Sequence, residues 1–125
     1  MIDHISVGVA DLDRAARFYE AVLASLGLSR LVTRPKTIGF GKSYPEFWIN
    51  LRPGMTKVLP ESGVHICLRA KTAADVDAFH AAALASGGGS DGAPGLRPHD
   101  RVKYYAAFVV DPDGNRIEAV TFPSE

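Results

Sequence analysis

The feature that most constrains this chain is a repeat. Moving the sequence along itself by 61 positions superimposes His4 on His65, Ile5 on Ile66, Phe18 on Phe79, Leu23 on Leu84, Ala24 on Ala85, Ser25 on Ser86 and Gly27 on Gly88. One offset keeps strand residues, helix residues and a helix end in register together, which marks a duplicated unit whose copies fold alike.

Each copy opens on a strand, "IDHISVGV" at 2–9 and "VHICLRA" at 64–70. A helix follows each time. In the first copy Asp11 is the expected N-cap, and Leu12, Ala15, Ala16, Tyr19, Val22, Leu23 and Leu26 recur at helical spacing until Gly27. In the second, Thr72 caps with Asp75 three residues on, and Val76, Phe79, Ala83 and Leu84 lead to "GGG" at 87.

Short strand-like runs complete each half: "SRLVTR", "TIGFGK" and "EFWINLR" in the first, then a poorly defined stretch, "KYYAAFVVD" and "NRIEAVTF" in the second. The last two join through a turn at Asp111-Pro112-Asp113-Gly114. Each half therefore reads βαβββ, and the class is α+β. The "RPGMTKVLPESG" segment is the natural connector, so a single domain divides into a module at about 1–52, a linker at about 53–62 and a module at about 63–125. The stretch "GGGSDGAPGLRPHD" at 87–100 lacks the Lys-Ser/Thr ending of a phosphate loop and reads as a flexible edge or lid.

Strand alternation separates the side chains into two faces. The apolar sets Ile5, Val7 and Val9; Phe47, Ile49 and Leu51; Ile66, Leu68 and Ala70; and Ile117, Ala119 and Thr121 belong against the helices. That leaves His4, Asn50, His65 and Glu118 on the other face, shared with Trp48, Val120 and Phe122. A face that mixes polar and apolar groups suits a small-molecule cavity.

Bulk properties narrow the chemistry further. Lys plus Arg and Asp plus Glu each number 14, so no single-sign field draws in nucleic acid or an anionic membrane. The start has no basic leader and no apolar run approaches the ~18 residues of a membrane span, so a soluble cytoplasmic protein is expected. A lone cysteine, Cys67, rules out an intrachain disulfide and a multi-thiolate zinc site, and it reads as a small buried thiol. Any metal here needs His and carboxylate ligands.

His4, His65 and Glu118 make such a set. Two imidazoles and a carboxylate suit Fe, Mn, Zn or Ni and leave coordination positions open. Asn50 would add a weak carbonyl ligand or orient a water, Trp48 and Phe122 would line the cavity, and Tyr105, at the entry to the penultimate strand, would offer substrate a hydroxyl. His80 and His99 read as surface residues.

The segments "DHISVGVADLDRAARFYEAVLASLGL", "GVHICLRA" and "YYAAFVVDPDGNRIEAV", with the closing "DPDGNRIE", resemble the vicinal oxygen chelate superfamily, also called the glyoxalase/bleomycin resistance/dioxygenase superfamily. The resemblance implies two βαβββ modules whose mixed sheets curl around a cavity holding a divalent metal, with the helices outside. It puts the family's ligand positions on His4, Asn50, His65 and Glu118, and implies a homodimer, since modules pair within or between chains. Proteins similar to glyoxalase I carry a carboxylate at the position of Asn50, and an amide has no useful basicity near neutral pH. The implied activity is metal-dependent lyase, isomerase or dioxygenase-like chemistry on a small oxygenated substrate, with Glu118 anchoring the metal and acting as base. The alternative is metal-free sequestration of a small molecule, as in the bleomycin-binding members.

Overall fold

In each half, strand, helix and three more strands follow in order. The computed structural model, which describes residues 1–124, has β1 (Ile5–Val9), α1 (Leu12–Ala24), β2 (Ser29–Arg34), β3 (Thr37–Gly41) and β4 (Pro45–Leu51) in the first half. The second has β5 (Ile66–Arg69), α2 (Ala73–Ala85), β6 (Gly89–Arg97), β7 (Tyr104–Val110) and β8 (Arg116–Thr121). Both helices start where a short polar side chain can take an orphan amide. Asp11 accepts from the Arg14 N–H and Thr72 from the Asp75 N–H.

The sheets repeat as closely as the sequence does. Their orders are β1-β4-β3-β2 and β5-β8-β7-β6, with the first strand of each half parallel to the last and the rest antiparallel. The two mixed sheets, one per module, stay separate, since among the described residues no ladder joins the edge strands β1 and β5.

The helices cover one face of each sheet and pack on each other. Phe18, Tyr19, Val22 and Leu23 of α1 share one core with Val76, Phe79 and Ala83 of α2, and with Phe40, Phe47, Ile49, Val109 and Ile117 beneath them. Tyr19 lies 4.9 Å from both Phe18 and Phe47, ring to ring. No helix among the described residues is long and apolar enough to cross a membrane.

The glycine-rich stretch at 87–100, read from sequence as a flexible edge or lid, lies at a sheet edge but is mostly a regular element, the nine-residue strand β6. Among the described residues β6 pairs only with β7, and its register shifts between Ser90 and Gly92 and again between Gly92 and Gly95. An edge strand with bulges is where Pro94, which has no N–H, can sit in a ladder. Gly88, just before it, is there for space: a Cβ would lie 2.5 Å from the Phe18 ring and 2.6 Å from the Val110 carbonyl oxygen.

The turn between β7 and β8 fastens the second half to the first. Asp111 Oδ1 accepts the N–H groups of Asp113 and Asn115, each at 2.8 Å, and its Oδ2 accepts Tyr19 Oη at 2.6 Å and Asn115 Nδ2 at 2.9 Å. Asn115 Nδ2 also reaches the Gly8 carbonyl, while Asp113 Oδ1 accepts from the Ala10 N–H and Arg14 Nη2. Asp111 and Asp113 are both buried, and burial raises the pKa of Asp111 despite its donors. Gly114 completes the turn at φ +89°, where a Cβ would also strike the Val58 carbonyl.

Candidate functional site

Parallel pairing of β5 with β8 places Cys67 opposite Glu118 and Arg69 opposite Val120 on the face away from the helices. His65 immediately precedes β5 on that same face. Glu118 is only 2% exposed, and both of its oxygens are engaged: Oε1 lies 3.0 Å from His65 Nε2, and Oε2 accepts a hydrogen bond from the Tyr104 hydroxyl. Phe108 packs beside His65 at 6.3 Å between ring centroids.

The tyrosine whose hydroxyl reaches Glu118 is thus Tyr104, not Tyr105. Neighbouring residues on a strand face opposite ways, so only one of the two can reach the cavity face. Tyr105 instead donates to Asp77 Oδ1 of α2 at 2.6 Å. Phe122 meets Tyr104 edge to face at 5.5 Å, His99 stacks on Tyr104 at 6.1 Å, and the Arg69 guanidinium lies 4.6 Å from the Phe122 centroid. His99, read as a surface residue, therefore borders this face.

Cys67 is exposed rather than buried. Its thiol is pushed up to about 12, first by partial enclosure and then by the charge and hydrogen bond of Glu118. In chelator-treated protein, iodoacetamide at pH 8 is expected to alkylate Cys67 about 1,000-fold more slowly than an ordinary thiol, because so little thiolate is present. Intact-mass spectrometry over time reads this, and Glu118→Gln should speed the reaction.

The first half repeats this arrangement with different groups. Ser6 pairs with Trp48 as Cys67 pairs with Glu118, so Trp48, and not Asn50, occupies the place matching Glu118, while Asn50 matches Val120. Gly39 likewise matches Phe108 across the neighbouring strand. The Trp48 ring fills the space over Gly39, where a Cβ would come within 2.8 Å of it, and Arg34 caps the ring at 5.6 Å. Asn50 faces Gly8 across the ladder, and its Oδ1 accepts the Thr37 hydroxyl at 2.5 Å. Ladder pairing two residues past each histidine, Ser6 with Trp48 and Cys67 with Glu118, is the signal that separates Trp48 from Asn50.

A sequence model described as Glyoxalase/Bleomycin resistance protein/Dioxygenase superfamily matches residues 1–119. The chain belongs to this superfamily. Its fold is similar to that of a glyoxalase/bleomycin resistance protein from Albidiferax ferrireducens T118, at 34% identity and TM-score 0.82 over 94% of this chain and 95% of that one. A glyoxalase I mutant from Zea mays matches at 20% identity and TM-score 0.71 over 94% of this chain and 45% of its own. A genomically encoded fosfomycin resistance protein from Listeria monocytogenes matches at 17% and 0.65, over 94% and 88%. The search of curated proteins found no match.

For a glyoxalase-superfamily chain the donor chemistry at Glu118 is the test of a metal. A buried carboxylate with an imidazole nitrogen 3.0 Å away is a donor pair that suits a divalent ion. Among the described residues, however, no three His, Cys, Asp or Glu side chains come close enough to hold one ion. His65 and Glu118 converge, whereas His4 turns its Nδ1 to Asp3 Oδ1 at 2.7 Å and is 52% exposed. His4 and His65 do border one opening of about 450 Å³ between the starts of β1 and β5, with Tyr44 and Cys67. The donors fit a divalent ion but stand one ligand short within a single chain.

Proposed function

We propose that this protein is a divalent-metal-dependent enzyme acting on a small oxygenated substrate, by lyase, isomerase or dioxygenase-like chemistry. The observation that carries the reading is Glu118: a carboxylate 2% exposed on a sheet face, with an imidazole at 3.0 Å and a phenol on its other oxygen. The superfamily includes metalloenzymes such as glyoxalase I, which is consistent with such a site.

His65 and Glu118 would hold Fe, Mn, Zn or Ni, with His4 of a second copy as third ligand. A homodimer that sets the first half of one chain against the second half of the other supplies it twice, because a twofold interface makes each contact reciprocally. When bound, the ion supplies Lewis-acid stabilisation of an oxyanion on the substrate. Tyr104 keeps its proton through the neutral range, since the hydrogen bond to Glu118 and burial raise its pKa, so it acts as a donor that orients Glu118. Glu118, released from that bond, is the group placed to take a proton from the substrate. Trp48, Asn50 and Phe122 would contact the substrate.

Subunit mixing tests the reading. His4→Ala and Glu118→Gln are each expected to lose metal and activity as homodimers. Refolded together in equal amounts they should regain about a quarter of wild-type metal content, because half of the dimers then carry one intact site of two. No regain would show that each site lies within one chain. Metal absent from the wild type, together with chelator-insensitive ligand binding and no turnover, would instead support metal-free sequestration, the reading favoured by the shortage of ligands within one chain.

A further inference from the structure

Arg69 lies two residues past Cys67 on β5, on the face that carries His65 and Glu118. Its guanidinium lies over the Phe122 ring, and no carboxylate among the described residues pairs with it. Stacking occupies the flat face of a guanidinium and leaves its N–H donors, which lie in the plane, free to grip a planar oxyanion. The first half has no counterpart: Gly8 stands where Arg69 does, four residues beyond the histidine, and Arg52 and Met55 close over it, at 3.3 and 3.5 Å from where a Cβ would be.

Val120, 6% exposed, lies opposite Arg69 in the ladder, and Phe122, under the guanidinium, meets Tyr104 edge to face.

We infer that Arg69 anchors a carboxylate of the substrate, making that substrate a small organic acid. This rests on the reading of His65 and Glu118 as the reaction site. A fixed charge at one end and the reacting oxygens at the other give the substrate a single orientation on the sheet.

Two probe pairs test it. Benzoate is expected to shift the Arg69 Nε–H signal of 15N-labelled protein, identified by its loss in Arg69→Gln, while benzamide leaves it in place. By calorimetry, zinc-loaded protein should bind 3,4-dihydroxybenzoate at least about tenfold more tightly than 3,4-dihydroxybenzamide, with the preference lost in Arg69→Gln and partly kept in Arg69→Lys. No benzoate shift, or a preference that survives Arg69→Gln, overturns the role of Arg69. Failure to take up zinc, or amide binding unchanged by Glu118→Gln, overturns the metal reading instead, and the benzoate shift then still decides for or against Arg69.

Discussion

Glu118→Gln is expected to abolish metal binding and turnover while leaving the fold intact. Glutamine has nearly the shape of glutamate and can still hydrogen-bond Tyr104 and His65, but it brings no charge and is a poor ligand. Loss of an outer-shell partner typically weakens metal affinity 10–100-fold, so loss of the anionic ligand itself should exceed about 100-fold. The melting temperature should stay level or rise. The wild type holds a carboxylate at 2% exposure, and neutralising a buried anion whose imidazole partner is half in solvent relieves desolvation without stranding another charge. Metal titration by calorimetry beside thermal unfolding of chelator-treated protein measures both effects. A large drop in stability would mean that Glu118 serves the fold rather than the site.

Asp111→Ala should do the reverse, leaving the site residues in place and weakening the structure that holds them. Its carboxylate takes four hydrogen bonds in a buried position, and alanine would strand the Tyr19 hydroxyl, two backbone N–H groups and one amide arm of Asn115. Breaking a buried polar network from one side costs about 3–5 kcal/mol. For a chain of this size each kcal/mol lowers the melting temperature by about 3–6 °C, so a fall on the order of 10–20 °C is expected. Asp111→Asn keeps one acceptor oxygen and should lose about 1–2 kcal/mol. Urea denaturation of the three proteins gives the ordering, and equal stability of Asp111→Ala and wild type would refute the clamp.

The βαβββ repeat was legible because its signals are local. Caps at Asp11 and Thr72, apolar spacing along both helices and the Asp-Pro-Asp-Gly turn each act within a few residues, and each falls where it was expected. β6 was hidden because glycine and proline usually end strands, and only its place at a sheet edge, with bulges, makes them tolerable. Parity put Glu118 and His65 on one face, but it could not choose between Tyr104 and Tyr105 without the true strand register.

From the residues alone came the duplicated fold, the superfamily and the face on which Glu118 and His65 meet, all matters of sequence spacing and alternation. Folding in three dimensions settled which groups touch: Tyr104 and not Tyr105 on Glu118, Trp48 and not Asn50 at the matching place, His4 turned to Asp3, and Arg69 laid over Phe122. Apart from His4 with its neighbour Asp3, these depend on ladder register and on residues far apart in the chain, such as Tyr104 with Glu118, 14 positions away, and Arg69 with Phe122. Contacts across such separations come from the packing of whole elements, which no local pattern encodes.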